Sequence, residues 1–85
     1  MTSPRVTRWI RGFDKVRENL VVQYRLPDSW TLERLQHLFG VPPENPMYDS
    51  FPVDERTAKI LEPSVGSPLL IDTLDFFVEA DAVKG

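Results

Sequence analysis

The sequence predicts an α+β fold: a small three-stranded sheet with two helices packed on one face, in the order β-β-α-α-β. Three observations carry this prediction. Segments toward both ends of the chain alternate apolar and polar residues with a period of two, as half-buried strands do. The middle switches to helical spacing, with Leu32, Leu35, Leu38 and Phe39 on one stripe. Prolines and single glycines punctuate the intervals and leave only short connections.

Residues 5–13 read as the first strand, because Val6, Thr7, Trp9, Ile10 and Phe13 are β-branched or aromatic. Residues 14–19 are polar enough to turn the chain. Leu20 to Leu26 then alternates, with Leu20, Val22, Tyr24 and Leu26 on one side and Val21, Gln23 and Arg25 on the other. Two antiparallel strands joined by a short loop are the economical arrangement. Pro27 ends the second strand, and Asp28 or Ser29 caps the first helix by accepting bonds from its free amides. Gly40 supplies the left-handed closing residue, and Pro42-Pro43 stops the helix.

Residues 42–52 contain four prolines, so no regular structure is expected there. Met47, Tyr48 and Phe51 are too apolar for a floppy linker, and an ordered loop plugging the sheet–helix junction is expected instead. Asp54 caps a second helix running to about Glu62, with Val53, Thr57, Ile60 and Leu61 inward. Pro63, Gly66 and Pro68 make the next connection, and the closing strand begins near Leu69 or Leu70. Residues 82–85 are expected to fray. If the helices run up and down, the closing strand lies antiparallel to the second strand, which becomes central.

The 85 residues form one domain, 1–85, with a modest core. The absence of cysteine rules out disulfides, thiolate metal sites and thiol nucleophiles. No stretch approaches the ~18 apolar residues that span a bilayer. Met1-Thr2-Ser3-Pro4-Arg5 leads into Arg8 and Arg11 without a signal-peptide core. A soluble cytoplasmic protein with no membrane association is expected. Charge is unevenly placed: residues 1–42 hold seven basic and four acidic side chains, residues 43–85 three and nine. That asymmetry suits either strands that answer one another's charge or an acidic surface offered to a basic partner.

Catalytic chemistry finds little footing. His37, the single histidine, sits late in the first helix, where the dipole favours a cation, and brings no second ligand or nucleophile with it. The glycines are scattered singly, so no phosphate-cradling loop is present. Asp75 and Glu79 share one strand face about 13 Å apart, beyond the spacing of paired glycosidase carboxylates. No enzymatic activity, cofactor or metal is therefore expected.

Two segments suggest recognition. In the closing strand, Leu74, Phe76, Val78 and Ala80 fall on one face, and Asp75, Phe77, Glu79 and Asp81 on the other. The second set is acidic with one aromatic, suited to steering and anchoring a basic protein. In the first strand, Arg5, Arg8 and Arg11 interleave with Trp9 and Phe13, a pattern found in single-stranded RNA binders. The net charge of −3 argues against nucleic acid, and Arg8 and Arg11 fall on opposite strand faces. Pairing of the arginines with Asp75 or Glu79 accounts for both segments at once.

Three stretches together resemble a family of short bacterial proteins of unknown function. They are Trp9-Ile10-Arg11-Gly12-Phe13-Asp14-Lys15, Asn45-Pro46-Met47-Tyr48-Asp49 with Phe51-Pro52-Val53, and Asp75-Phe76-Phe77-Val78-Glu79-Ala80. The resemblance covers nearly the whole chain and extends loosely to immunity-type proteins of toxin systems. It implies a non-catalytic inhibitor of a toxin and carries over no site residues. The residue pattern itself offers Asp75, Phe77, Glu79 and Asp81 for steering and anchoring a basic partner, with Tyr48 as a loop anchor. A homo-oligomeric module pairing through a sheet edge and a single-stranded RNA binder using Arg8, Trp9 and Arg11 are the alternatives.

Overall fold

The computed structural model describes residues 5–83. The expectations about the leader at Met1–Pro4 and fraying at Lys84 and Gly85 lie outside the described residues. The elements are β1 (Val6–Asp14), β2 (Leu20–Arg25), α1 (Leu32–Phe39), β3 (Phe51–Pro52), α2 (Glu55–Val65) and β4 (Leu74–Ala82). They build an antiparallel sheet in the order β2-β1-β4-β3, with both helices contributing to the core on one side of it.

The α+β class stands, but the sheet has four strands, and β3 enters between the helices. Proline-rich sequence still forms β3 because a sheet edge tolerates a residue with no N–H to donate. Phe51 stands opposite Val78 and Pro52 opposite Phe77. Val53 N then donates to Phe76 O at 2.8 Å and ties the connection to β4.

The central strands are β1 and β4, and β2 is an edge. β1 buries Ile10 completely, whereas no residue of β2 is fully buried. β4 runs along all of β1, from Val6 opposite Ala82 to Asp14 opposite Leu74. Ala82 is therefore held in the sheet rather than frayed, and Val83 N donates to Arg5 O at 3.0 Å. β4 begins at Leu74, later than expected, because Thr73 N and Leu74 N both bond Leu70 O in a turn. Leu69 is buried all the same, its amide donating to Glu62 Oε2 at 2.8 Å.

Helix boundaries follow local chemistry. Thr31, not Asp28 or Ser29, caps α1, its hydroxyl accepting from Arg34 N. Asp28 and Ser29 are spent in a turn closed by Trp30 N donating to Pro27 O. Gly40 ends α1 in the left-handed conformation, φ 65°, as expected. Asp54 and Thr57 form a reciprocal capping box at the start of α2. α2 runs past Pro63 to Val65, since a proline in the last turn forfeits little and Val65 still packs on the core. Ile60 points outward, and Ala58 joins Thr57 and Leu61 inside.

A single cluster joins Ile10, Phe76 and Val78 of the sheet to Leu35 and Leu38 of α1 and Leu61 of α2. Met47 is buried there as expected, and Phe51 packs against it, but Tyr48 is 47% exposed. Gly12 of β1 is packed too tightly against Phe76 and Val22 to carry a side chain. A Cβ there would lie 2.6 Å from Phe76 Cε1 and 3.0 Å from Val22 Cγ1. Gly12→Ala should destabilise the domain by about 1–3 kcal/mol through overpacking. Urea unfolding with an unchanged slope and a lower midpoint is the expected result.

Candidate functional site

Residues of the sheet that alternate with the core set form a face that neither helix covers. β1 supplies Trp9, Arg11 and Phe13 to it, and β4 supplies Asp75, Phe77, Glu79 and Asp81. The register sets Trp9 opposite Glu79, Arg11 opposite Phe77 and Phe13 opposite Asp75. Four residues expected to form a site thus meet on one surface. Tyr48 does not join them: it lines a separate cavity with Arg8.

Arg11 organises the electrostatics of this face. Its Nη1 donates to Asp81 Oδ1 at 2.9 Å and Glu79 Oε1 at 3.2 Å, and its Nη2 to Asp81 Oδ2 at 2.5 Å. Nε reaches back to Gln23 Oε1 at 3.0 Å, and the guanidinium carbon lies 5.4 Å from the Trp9 ring centre. Glu79 also accepts from Ser50 Oγ at 2.6 Å, and Lys15 Nζ lies 2.7 Å from Asp75 Oδ1. Every acid expected to meet a partner is therefore answered, at least in part, from within the chain. Hydrogen bonding to Asp81 raises the Arg11 pKa, and the same bond lowers that of Asp81.

Phe77 finds its companion in Phe13, whose ring meets it edge-on with centroids 5.9 Å apart. Beside these rings, which line it with Asp14, Glu18, Ser50, Asp75 and Glu79, lies a shallow cavity of about 290 Å³. The Trp9 indole nitrogen is shut away from solvent without a hydrogen-bond partner. Trp9 and Phe13 belong to this surface as much as Phe77 does. Their alternation with Ile10 and Gly12 was the signal, whereas the arginines beside them pointed to RNA.

Arg8 takes the other side of β1, where its Nη1 and Nη2 donate to the carbonyls of Met47 and Pro46. His37 lies exposed in the last turn of α1, beside a groove with Arg34, Arg56 and Ile60. Among the described residues, no three His, Cys, Asp or Glu side chains gather as a metal site would require. Among the same residues, no helix is long and apolar enough to cross a membrane.

The architecture is that of a small α+β domain with one sheet face packed by helices and one left open. The chain belongs to a family of domains of unknown function, DUF7683, whose model matches residues 7–79. No curated protein matches the chain.

Acid should loosen the open face. Asp81 is held below its ordinary 3.8 by Arg11, and Asp14 by the amides of Arg17 and Val16. Asp54 is lowered chiefly by the Thr57 amide. The unfolded chain then binds more protons than the folded one, so stability rises with pH across this range. These contributions are complete above the ordinary carboxylate range and are lost as pH falls through the lowered folded values. Asp81→Asn should flatten the acid limb of a stability–pH profile followed by circular dichroism while leaving its neutral plateau shape unchanged.

Proposed function

We propose that the domain is a non-catalytic protein-binding module whose contact surface is the open face of the sheet. The observation that carries this reading is the half-buried Phe13–Phe77 pair on the face that neither helix covers, with Trp9 farther along β1 beneath Arg11 and charged pairs at the border. Apolar anchors within a polar rim are the anatomy of a protein interface. Near Phe13 and Phe77, the four carboxylates of Asp14, Glu18, Asp75 and Glu79 outnumber the two nearby cations, Lys15 and Arg11. A basic side chain of the partner fits there, between carboxylates and ring faces. The most concrete form of this role is a cytoplasmic immunity-type inhibitor that occludes a basic toxin. Small size, the acidic balance and the motif resemblance support that form.

Titration calorimetry against the product encoded beside this chain tests the proposal. Phe77→Ala should weaken binding by about tenfold or more, as truncation of an interface anchor does. Trp9→Phe removes an unpartnered buried donor, so it should leave stability equal or higher while weakening binding. If Asp75→Lys with Glu79→Lys leaves binding unchanged at low salt, this face is not the contact surface. If the neighbouring product does not bind at all, the immunity form of the proposal falls.

A second reading rests on β2, whose outer edge has no strand beside it among the described residues and whose Leu20 and Val21 are 45% and 54% exposed. Such an edge pairs readily with a second copy. Sedimentation across a concentration range should then show a dimer that Val21→Lys dissociates. A monomer at the highest concentration removes this reading.

A further inference from the structure

The loop that carries the Asn45-Pro46-Met47-Tyr48 motif is built in a costly way, and the open sheet face does not account for it. Met47 holds φ 54°, a left-handed backbone that a residue with a long side chain seldom adopts. Several bonds over-determine it. Asn45 Oδ1 accepts from Met47 N at 2.8 Å, Gln36 Nε2 donates to Asn45 O at 2.7 Å, and Arg8 Nη1 donates to Met47 O at 2.6 Å. The bend sends the Met47 side chain into the core and leaves Tyr48 outside it.

Tyr48 and Arg8 there border a cavity of about 310 Å³, where the start of β1, the end of β2 and the 27–32 turn converge. Its apolar wall is made by Val6, Leu26, Pro27, Trp30, Leu32 and Pro46, beside the polar Arg8, Asp28 and Tyr48. Two of the five guanidinium N–H groups of Arg8 are accounted for, by the carbonyls of Pro46 and Met47. No carboxylate pairs with Arg8 among the described residues, and burial lowers its pKa, with Tyr48 opposing the shift. Asp28, at the rim, lies 3.6 Å from Arg25, which offsets its charge.

We infer that this cavity is a binding site for a carboxylate on a small apolar body, the anion lying against the free N–H groups of Arg8 and the Tyr48 hydroxyl. A half-buried guanidinium matched only by carbonyl dipoles gains a charge-assisted bond from such a ligand that no residue described here supplies. The walls take up the apolar part, and ligand pockets commonly combine such walls with a few fixed polar groups. The strained loop is the pre-organising element, since its Pro46 and Met47 carbonyls hold Arg8 before a ligand arrives. The same chemistry is presented by a free aliphatic or aromatic acid and by the C-terminal residue of a peptide. This site is on a different face from the proposed protein interface and stands or falls without it.

Amide NMR titrations of the full chain decide the matter, using hexanoate, phenylacetate and an acetylated tripeptide ending in leucine as probes. Each acid is run beside its neutral carboxamide. Saturable shifts should centre on Val6, Leu26, the Trp30 indole, Leu32 and Tyr48, and each carboxamide should bind about tenfold more weakly. Whichever of free acid or peptide binds more tightly identifies the source of the carboxylate, and either outcome supports the site. Tyr48→Phe leaves the described hydrogen bonds intact and should weaken the acids several-fold. Arg8→Lys should weaken them further, with its fold checked by its own amide spectrum. Equal binding of acid and carboxamide overturns the inference, as does the absence of saturable shifts up to tens of millimolar.

Discussion

The pairing of β1 with β4 is the constraint on which the rest of the molecule depends. The two strands lie far apart in sequence, yet they match residue for residue from Val6–Ala82 to Asp14–Leu74. Strand side chains alternate, so a slip of one residue would leave either Ile10 of β1 or Phe76 and Val78 of β4 facing out of the core. It would also part Arg11 from Glu79 and Asp81, and bring a side chain where only Gly12 fits against Phe76. Packing, charge and steric fit therefore select the same register. β2 and β3 extend this pair outward, one on each side.

From that register come two surfaces of different chemistry. Arg8 and Arg11 show how sharply they diverge. Three positions apart on one strand, they take opposite sides of the sheet. Arg11 is bound to two carboxylates and raised in pKa, while Arg8 is turned toward backbone carbonyls and lowered by burial. The acidic face is consequently less acidic than its composition implies. Its distinguishing content is aromatic. The opposite side holds a cation whose partners among the described residues are carbonyl dipoles.

Features set by local chemistry were legible in the residues. Gly40 and Asp54 mark helix ends because a left-handed turn and a free-amide cap each demand particular side chains. The alternation from Leu74 to Ala80 picked out the buried Phe76 and Val78 of β4, while Leu74 and Ala80 are half-buried like Phe77 and Glu79. Features set by partners at a distance were not. Alternation says which way a side chain faces but not which strand lies beside it, so β2 seemed central when β1 is. Phe51–Pro52 lacked any strand signature, since its pairing depends on the free edge of β4. Of the candidate site, the β4 residues were readable from period alone. The companionship of Phe77 with Phe13, and of Tyr48 with Arg8, required the tertiary fold.

The bond from Val83 N to Arg5 O carries a consequence of another kind. It brings the two ends of the described chain to one corner of the sheet, as neighbours across a single ladder rung. A domain whose ends meet is modular in the topological sense. It can be carried within a surface loop of another protein as readily as in tandem with one, because entry and exit occupy the same spot. The polar β1–β2 turn at Lys15–Arg17 is an exposed place for the chain to be opened when those ends are joined.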